Sequence, residues 1–333
     1  MSAWAAEWMP VLGLVRDRLR DEGAVAGRRI AVNLPLEPKA EYLAAVLTEV
    51  GAEVSVGAAG ELLERKPEVV IDDRAEVARL AHATQPEALA DLIGVSEQTA
   101  SGVRYLRTLD ALQVPCIAAD DARCLFDTGQ SVVNAILDRT NLLAADKDVV
   151  VVGYGAAGKG IAARWRGLGA RVTVCEADPL AALAAHHDGF DVAPLLDACR
   201  SANVVIGLRH AIGPQALAVL PDGAILARSG GGEIDVAHLP TREARDRVDE
   251  LTLPDGRTLF LVGGDDAVLS AAEGQPAEIA DLALAVHALS AAYLLRHGGE
   301  LEPGVHRLPA EIDDEIARMK LQVLGIEIDG DAV

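Results

Sequence analysis

Three glycines carry the clearest chemistry in this chain. Gly153, Gly155 and Gly158 fit G-x-G-x-x-G directly after the apolar run at residues 149–152. Such spacing serves a dinucleotide: the first glycine permits a tight turn, the second lets backbone approach a pyrophosphate, and the third lets a helix pack closely on its strand. The helix that follows offers unpaired N–H groups and the positive end of its dipole to the phosphates. Ala157 lies inside the same turn. Glu176 closes the next apolar strand about 20 residues on, where a carboxylate accepts from the adenosine ribose and repels a 2′-phosphate. Strand, turn, helix and acidic residue together point to NAD rather than NADP. The bland alternative, glycines that only turn the chain, lacks a reason for the acidic strand end.

The elements that must position this motif alternate. KDVVVVGYGAAGKGIAARWRGLGARVTVCEADP reads as strand, turn, helix and strand, the order of a βαβ unit. Shorter strands follow at VVIGL, AILARS and LFLVGG. Upstream, residues 3–20 have helical spacing, and RRIAVNL, EVSVG, EVVID, residues 92–95 and VPCIA read as strands separated by helices. Downstream, residues 276–295 form a long Ala/Leu helix, and LPAEIDDEIARMKLQVLGIEI an amphipathic helix with a short tail. The expected fold is α/β: two lobes, each a parallel sheet flanked by helices, one of them a Rossmann NAD-binding domain. The boundaries drawn are 1–126 for the first part of a substrate lobe, 127–275 for the Rossmann domain, 276–318 for the return helices and 319–333 for the tail.

Composition narrows the partners. Of 333 residues, 51 are acidic and 30 basic, a net charge of −21, which opposes nucleic acid and anionic membranes. Aromatics are 3% and hydrophobics 50%, so the core is built of Ala, Val and Leu. Cys116, Cys124, Cys175 and Cys199 form no C-x-x-C pair or zinc-type cluster; reduced thiols, no metal and a cytoplasmic setting are expected. MSAWAAEWMP lacks the pattern of a signal peptide, and no uncharged apolar run reaches membrane-spanning length.

Five blocks resemble adenosylhomocysteinase in that family's order: EWMPVLGLVRDRL, GVSEQTASGVRYL, the cofactor segment from Val149, EGQPAEIADLALAVHALSAAYLL and LEPGVHRLPAEIDDEIARMKLQVLGI. The resemblance implies a two-lobed homo-oligomer, dimer or tetramer, holding NAD and a nucleoside-like small molecule. It implies oxidation of a ribose 3′-hydroxyl, which acidifies the 4′ C–H so that the 5′ group can be eliminated.

Residue by residue, the resemblance maps the family's Asp-Asp-Gly-Gly onto Asp72-Asp73-Arg74-Ala75, with Asp73 at the catalytic position and both glycines replaced. Glu-Glu-Thr-Thr-Thr becomes Glu97-Gln98-Thr99-Ala100-Ser101; the catalytic Glu is Gln98, which cannot titrate, and Thr99 and Ser101 fall at cofactor positions. Pro35 stands for a family His, and Glu37 and Lys39 replace neighbouring nucleoside contacts. Asp127 matches a catalytic Asp, although an N-cap for the helix near Gly129 is an equal reading; Arg123 is the nearest candidate for the catalytic Lys. Gln275 and Gly231 replace two further His positions. Asp72 reads as structural, paired with a surface arginine or capping the helix that begins near Glu76, and His287 as a core histidine. The scaffold and phosphate turn thus remain while the nucleoside pocket is rewritten. That pattern favours an NAD-dependent reaction on another nucleoside or sugar, with net dehydration as one outcome. A degenerate NAD-binding paralogue and adenosylhomocysteinase itself stay open.

Overall fold

The computed structural model describes residues 3–35, 37–109, 112–123, 129–208, 212–229, 233–263 and 275–329. The chain divides into two compact units, Met1–Leu125 with Ala277–Val333, and Phe126–Pro276.

The first unit opens with α1 (Ala3–Trp8) and α2 (Pro10–Glu22), then β1 (Arg29–Asn33), α3 (Pro38–Glu49), β2 (Glu53–Val56), α4 (Ala59–Glu64), β3 (Val69–Asp72), α5 (Glu76–Thr84), β4 (Gly94–Glu97), α6 (Ala100–Thr108) and β5 (Pro115–Ala118). Residues 3–20 are therefore two helices, not the single one their spacing predicts. Pro10 has no N–H to continue a helix, and it takes the first position of α2 instead. The second unit holds α7 (Gln130–Thr140), β6 (Asp148–Val152), α8 (Ala156–Gly167), β7 (Arg171–Cys175), α9 (Pro179–His187), β8 (Asp191–Val192), α10 (Leu195–Cys199), β9 (Val204–Gly207), α11 (Pro214–Val219), β10 (Ile225–Arg228), β11 (Thr241–Arg245), β12 (Val248–Thr252) and β13 (Thr258–Val262). The chain returns to the first unit with α12 (Ala277–His297), β14 (Gly304–Arg307) and α13 (Ala310–Val323).

The first unit's sheet runs β14-β5-β4-β3-β1-β2, all parallel. The second runs β11-β12-β13-β10-β9-β6-β7-β8 and is parallel except for β11 and β12, which pair antiparallel at one edge. The strands of both sheet centres are buried Val, Ile and Ala runs, as strands covered on both faces require. Helix α12 is apolar and long enough to cross a membrane, yet most of it is buried inside the first unit, where it packs on α2, α3, β3 and β4. Asp281, in its second turn, is fully buried and accepts the N–H groups of Val11 (3.0 Å) and Leu12 (2.8 Å). It caps α2 from a helix far along the chain; Met9, at the local cap position, supplies no side-chain bond. Lys320 of α13 stands 3.9 Å from the same carboxylate.

Candidate active site: a dinucleotide turn and a cluster of strand-end carboxyls

In open parallel sheets, ligands gather at the carboxyl ends of the strands where the strand order reverses direction. In the second unit that reversal falls between β6 and β9, and the glycine turn leaves the end of β6. The three glycines answer to different constraints. Gly153 has φ +109°, a backbone rarely open to other residues, and its N–H donates to Cys175 O (2.8 Å). At Gly158 a Cβ would fall 2.1 Å from Gly153 O, so α8 can lie on the turn only without a side chain there. Gly155 has no strain, and nothing lies within 4 Å of where its Cβ would be. The protein's own packing does not require that glycine; a pyrophosphate drawn against the backbone does. Helix α8 then starts at Ala156 without a side-chain cap, its first residues exposed and Ala157 half-buried against the core. The residues present therefore fit a dinucleotide.

Glu176 lies just past β7. Its carboxylate accepts the N–H of Tyr154 (2.7 Å), Ala177 (2.7 Å) and Asp178 (3.1 Å), which ties it to the turn. The Tyr154 ring is fixed from behind, its hydroxyl donating to Asp188 (2.8 Å) and its edge meeting Phe190.

In the first unit the reversal lies between β1 and β3. Asn33, Asp72 and Glu97 end β1, β3 and β4 in register with one another. Asp72 is fully buried; it accepts from Asn33 Nδ2 (2.9 Å) and from the N–H of Val77 (3.2 Å) and Ala78 (3.0 Å), and so caps α5. Burial pushes its carboxyl up to about 6. Glu97, also fully buried, is pushed up to about 8 by the same cause. It accepts the N–H of Ala75 (2.9 Å) on one oxygen, and the N–H (2.7 Å) and hydroxyl (2.5 Å) of Thr99 on the other. Asp73 differs from both. It is 8% exposed, burial raises its pKa, and its partner among the described residues is the Arg74 guanidinium at 3.1 Å. Helix and turn leave this carboxyl to other uses. Arg74 and Ala75, which follow it, both adopt left-handed backbone (φ 55° and 54°), a conformation that costs a non-glycine residue about 1–2 kcal/mol each.

Comparison with known proteins supplies the lineage. Residues 124–274 match the family model described as S-adenosyl-L-homocysteine hydrolase, NAD binding domain. The adenosylhomocysteinase of Thermotoga maritima is 36% identical over 384 aligned positions, covering 98% of this chain and 94% of the relative. The chain belongs to the adenosylhomocysteinase family. The S-inosyl-L-homocysteine hydrolase of Methanopyrus kandleri is 34% identical, covering 99% of this chain and 91% of that one. Among solved structures, the A chain of dipicolinate synthase from Bacillus subtilis superposes with a TM-score of 0.54 at 14% identity, over 84% of this chain and 99% of that one, which speaks for the fold alone. NAD is the cofactor of this adenosylhomocysteinase family member, and the second unit is its NAD-binding domain. The Thermotoga match spans 384 positions where this chain has 333 residues, so the relative carries segments without counterpart here.

The other residues singled out from the sequence take these places. Gln98 is half-buried beyond β4, its N–H donating to Asp72 O (3.0 Å). Thr99 caps α6, accepting from Gly102 N–H (3.1 Å), and also accepts the N–H of Arg74 (3.1 Å); Ser101 Oγ lies 3.3 Å from its hydroxyl. Arg123 is exposed, its guanidinium 3.1 Å from Asp314 and 3.5 Å from Asp313 at the start of α13. Asp127 and Gly231 lie outside the described residues. Lys39 is buried at the start of α3 and pairs with Glu37 at 2.9 Å. His287 is buried against Ser96 Oγ (2.8 Å), and burial lowers its pKa to about 4. Glu97 is the residue that reading the sequence passed over. Gly102 makes room for it in the fold: a Cβ there would fall 2.3 Å from the Glu97 carboxylate.

Proposed function

We propose that this family member is an NAD-dependent enzyme acting on a nucleoside or related sugar by oxidation at the ribose 3′ position and elimination across C4′–C5′, with net loss of water. Asp73 carries the reading. Among the three strand-end carboxyls, it is the one that neither caps a helix nor braces a turn, and its burial raises its affinity for a proton toward working pH. NAD, held by Gly153, Gly155, Ala157, Gly158 and Glu176, supplies a reversible hydride acceptor. Asp73 takes the 3′-hydroxyl proton as oxidation proceeds and returns it at the close; the C4′ proton passes to the departing 5′-hydroxyl, and the two leave together as water. Gln98 donates to and accepts from a ribose hydroxyl without titrating. Thr99 and Ser101 are assigned to the cofactor side, with the Thr99 hydroxyl already bonded to Glu97 and to the N–H groups of Arg74 and Gly102, and Asp127 is assigned as a second ribose carboxylate. Arg123 engages Asp313 and Asp314 and serves as an oxyanion donor only if it leaves them.

A dehydration needs no site for homocysteine and no base to activate a water, which agrees with Gln98 and Pro35 standing at family acid–base positions. A second reading, adenosylhomocysteinase activity itself, is favoured by the 36% identity across 98% of the chain. Incubation with adenosylhomocysteine and with candidate nucleosides, followed by thiol assay and mass spectrometry, separates the two. The proposal expects a product lighter by one water from a nucleoside, and little free homocysteine. Robust homocysteine release establishes the second reading.

A further inference from the structure

Two consecutive non-glycine residues in left-handed backbone do not persist unaided, and Arg74-Ala75 sits directly after Asp73. Two groups brace them. Thr99 Oγ1 accepts the N–H of Arg74, and Glu97 accepts the N–H of Ala75 while holding Thr99 through both its N–H and its hydroxyl. Gly102 leaves room for that carboxylate, and Ala75 seals the other side with no exposed surface. The ionised Glu97 carboxylate, formed as pH rises through about 8, is well matched to the task, because its two oxygens accept all three bonds with no donor to place. We propose that Glu97 is the positioning residue of the first unit's site: it fixes the turn at Arg74-Ala75 against Thr99 and thereby sets where the Asp73 carboxyl stands. The inference rests on the reading of Asp73 as the acid–base group. Glu97 itself touches no substrate, since its oxygens are occupied and its side chain is sealed.

The test uses the full NAD-loaded chain and three variants. Glu97→Gln keeps the shape but turns one accepting oxygen into a donor. Thr99→Val removes the hydroxyl that links Glu97 to the Arg74 N–H, together with its cap on α6, and serves if Glu97→Gln does not fold. Ala75→Gly lets the backbone take the left-handed form without help. The first readout is the titration of the Asp73 carboxyl by carbon NMR, assigned with Asp73→Asn. Glu97→Gln is expected to move its midpoint by about half a pH unit or more. The second is the rate of cofactor reduction by a nucleoside, expected to fall ~10–100-fold with KM unchanged, since misplacing a reacting group costs turnover rather than binding. Ala75→Gly added to Glu97→Gln is expected to recover part of that rate. A Glu97→Gln protein that melts earlier yet keeps the wild-type Asp73 titration and rate overturns the proposal, and Glu97 is then only structural. If no nucleoside reduces the wild-type cofactor, the functional reading fails by itself; an unmoved Asp73 titration still overturns this inference, and a moved one upholds it.

Discussion

One added methyl group at Gly155 and one at Gly158 are expected to give opposite results, although both glycines belong to one motif. At Gly158 the new Cβ would stand 2.1 Å from Gly153 O, where ordinary contact begins near 3.4 Å, so the turn or α8 must shift by more than an ångström. Overpacking of that kind costs about 1–3 kcal/mol, a fall of roughly 2–12 °C in melting temperature at ~2–4 °C per kcal/mol. At Gly155 no atom lies within 4 Å and the backbone is unstrained. The weaker capping of Ala and the lower entropy of its unfolded chain offset each other, leaving stability within about 1 kcal/mol of wild type. The methyl does fill the space a pyrophosphate needs, and an affinity loss of at least ~10-fold follows, equivalent to about 1.4 kcal/mol. Thermal denaturation with and without NAD reads both effects, since saturation at 100 times Kd adds about 2.7 kcal/mol. Gly158→Ala should melt early in both conditions. Gly155→Ala should melt like the wild type without NAD and gain less when NAD is added. A full NAD-induced gain in Gly155→Ala refutes the placement of the pyrophosphate at this turn.

Three further outcomes are expected. Glu176→Ala should narrow the preference for NAD over NADP in paired binding titrations, because the carboxylate that repels a 2′-phosphate is gone; a wild-type protein that prefers NADP contradicts the ribose assignment. Asp281→Ala strands two buried N–H groups of α2 at about 1–3 kcal/mol each, whereas Asp281→Asn keeps an acceptor and costs less; equal urea midpoints for the two variants count against the cap. The pH dependence of stability follows from the buried groups. Asp72 and Asp281, both raised to about 6, and Glu97, raised to about 8, bind protons more tightly folded than unfolded. Each therefore stabilises the fold at low pH and loses that contribution as pH rises through its folded value. His287, lowered from 6.5 to about 4, acts oppositely within that window. Between pH 6.5 and 8 the titration of Glu97 dominates among these groups, and stability should fall by up to about 2 kcal/mol. Urea midpoints that do not fall between those pH values, or that fall as steeply in Glu97→Gln, contradict this.

The dinucleotide turn was legible because its constraints are local: each glycine answers to atoms within a few residues or on the adjoining strand. The cap by Asp72 and the core setting of His287 were legible for the same reason, an acidic residue ahead of a helix and a histidine in an Ala/Leu run. The turn after Asp73 was not. Replacement of two glycines by Arg74 and Ala75 suggests a lost feature, yet both residues take left-handed backbone, braced by Glu97 and Thr99 on another strand's end. A glutamate is seldom fully buried, so nothing in the chain's pattern marks Glu97 until Asp72, Ala75 and Thr99 are brought beside it. Asp281 escapes notice similarly, since its partners on α2 lie at the opposite end of the sequence. The edge pair β11 and β12 was missed because β11 is exposed along its whole length and shows no alternation.

The most direct test of the functional account is the absorbance of reduced nicotinamide after the NAD-loaded protein is mixed with candidate nucleosides, wild type beside Asp73→Asn. A nucleoside should reduce the bound cofactor in the wild type, and Asp73→Asn should slow that step ~10²–10⁴-fold with its NAD content unchanged, as removal of an acid–base group does. Reduction at the same rate in Asp73→Asn, or no reduction by any nucleoside, contradicts it.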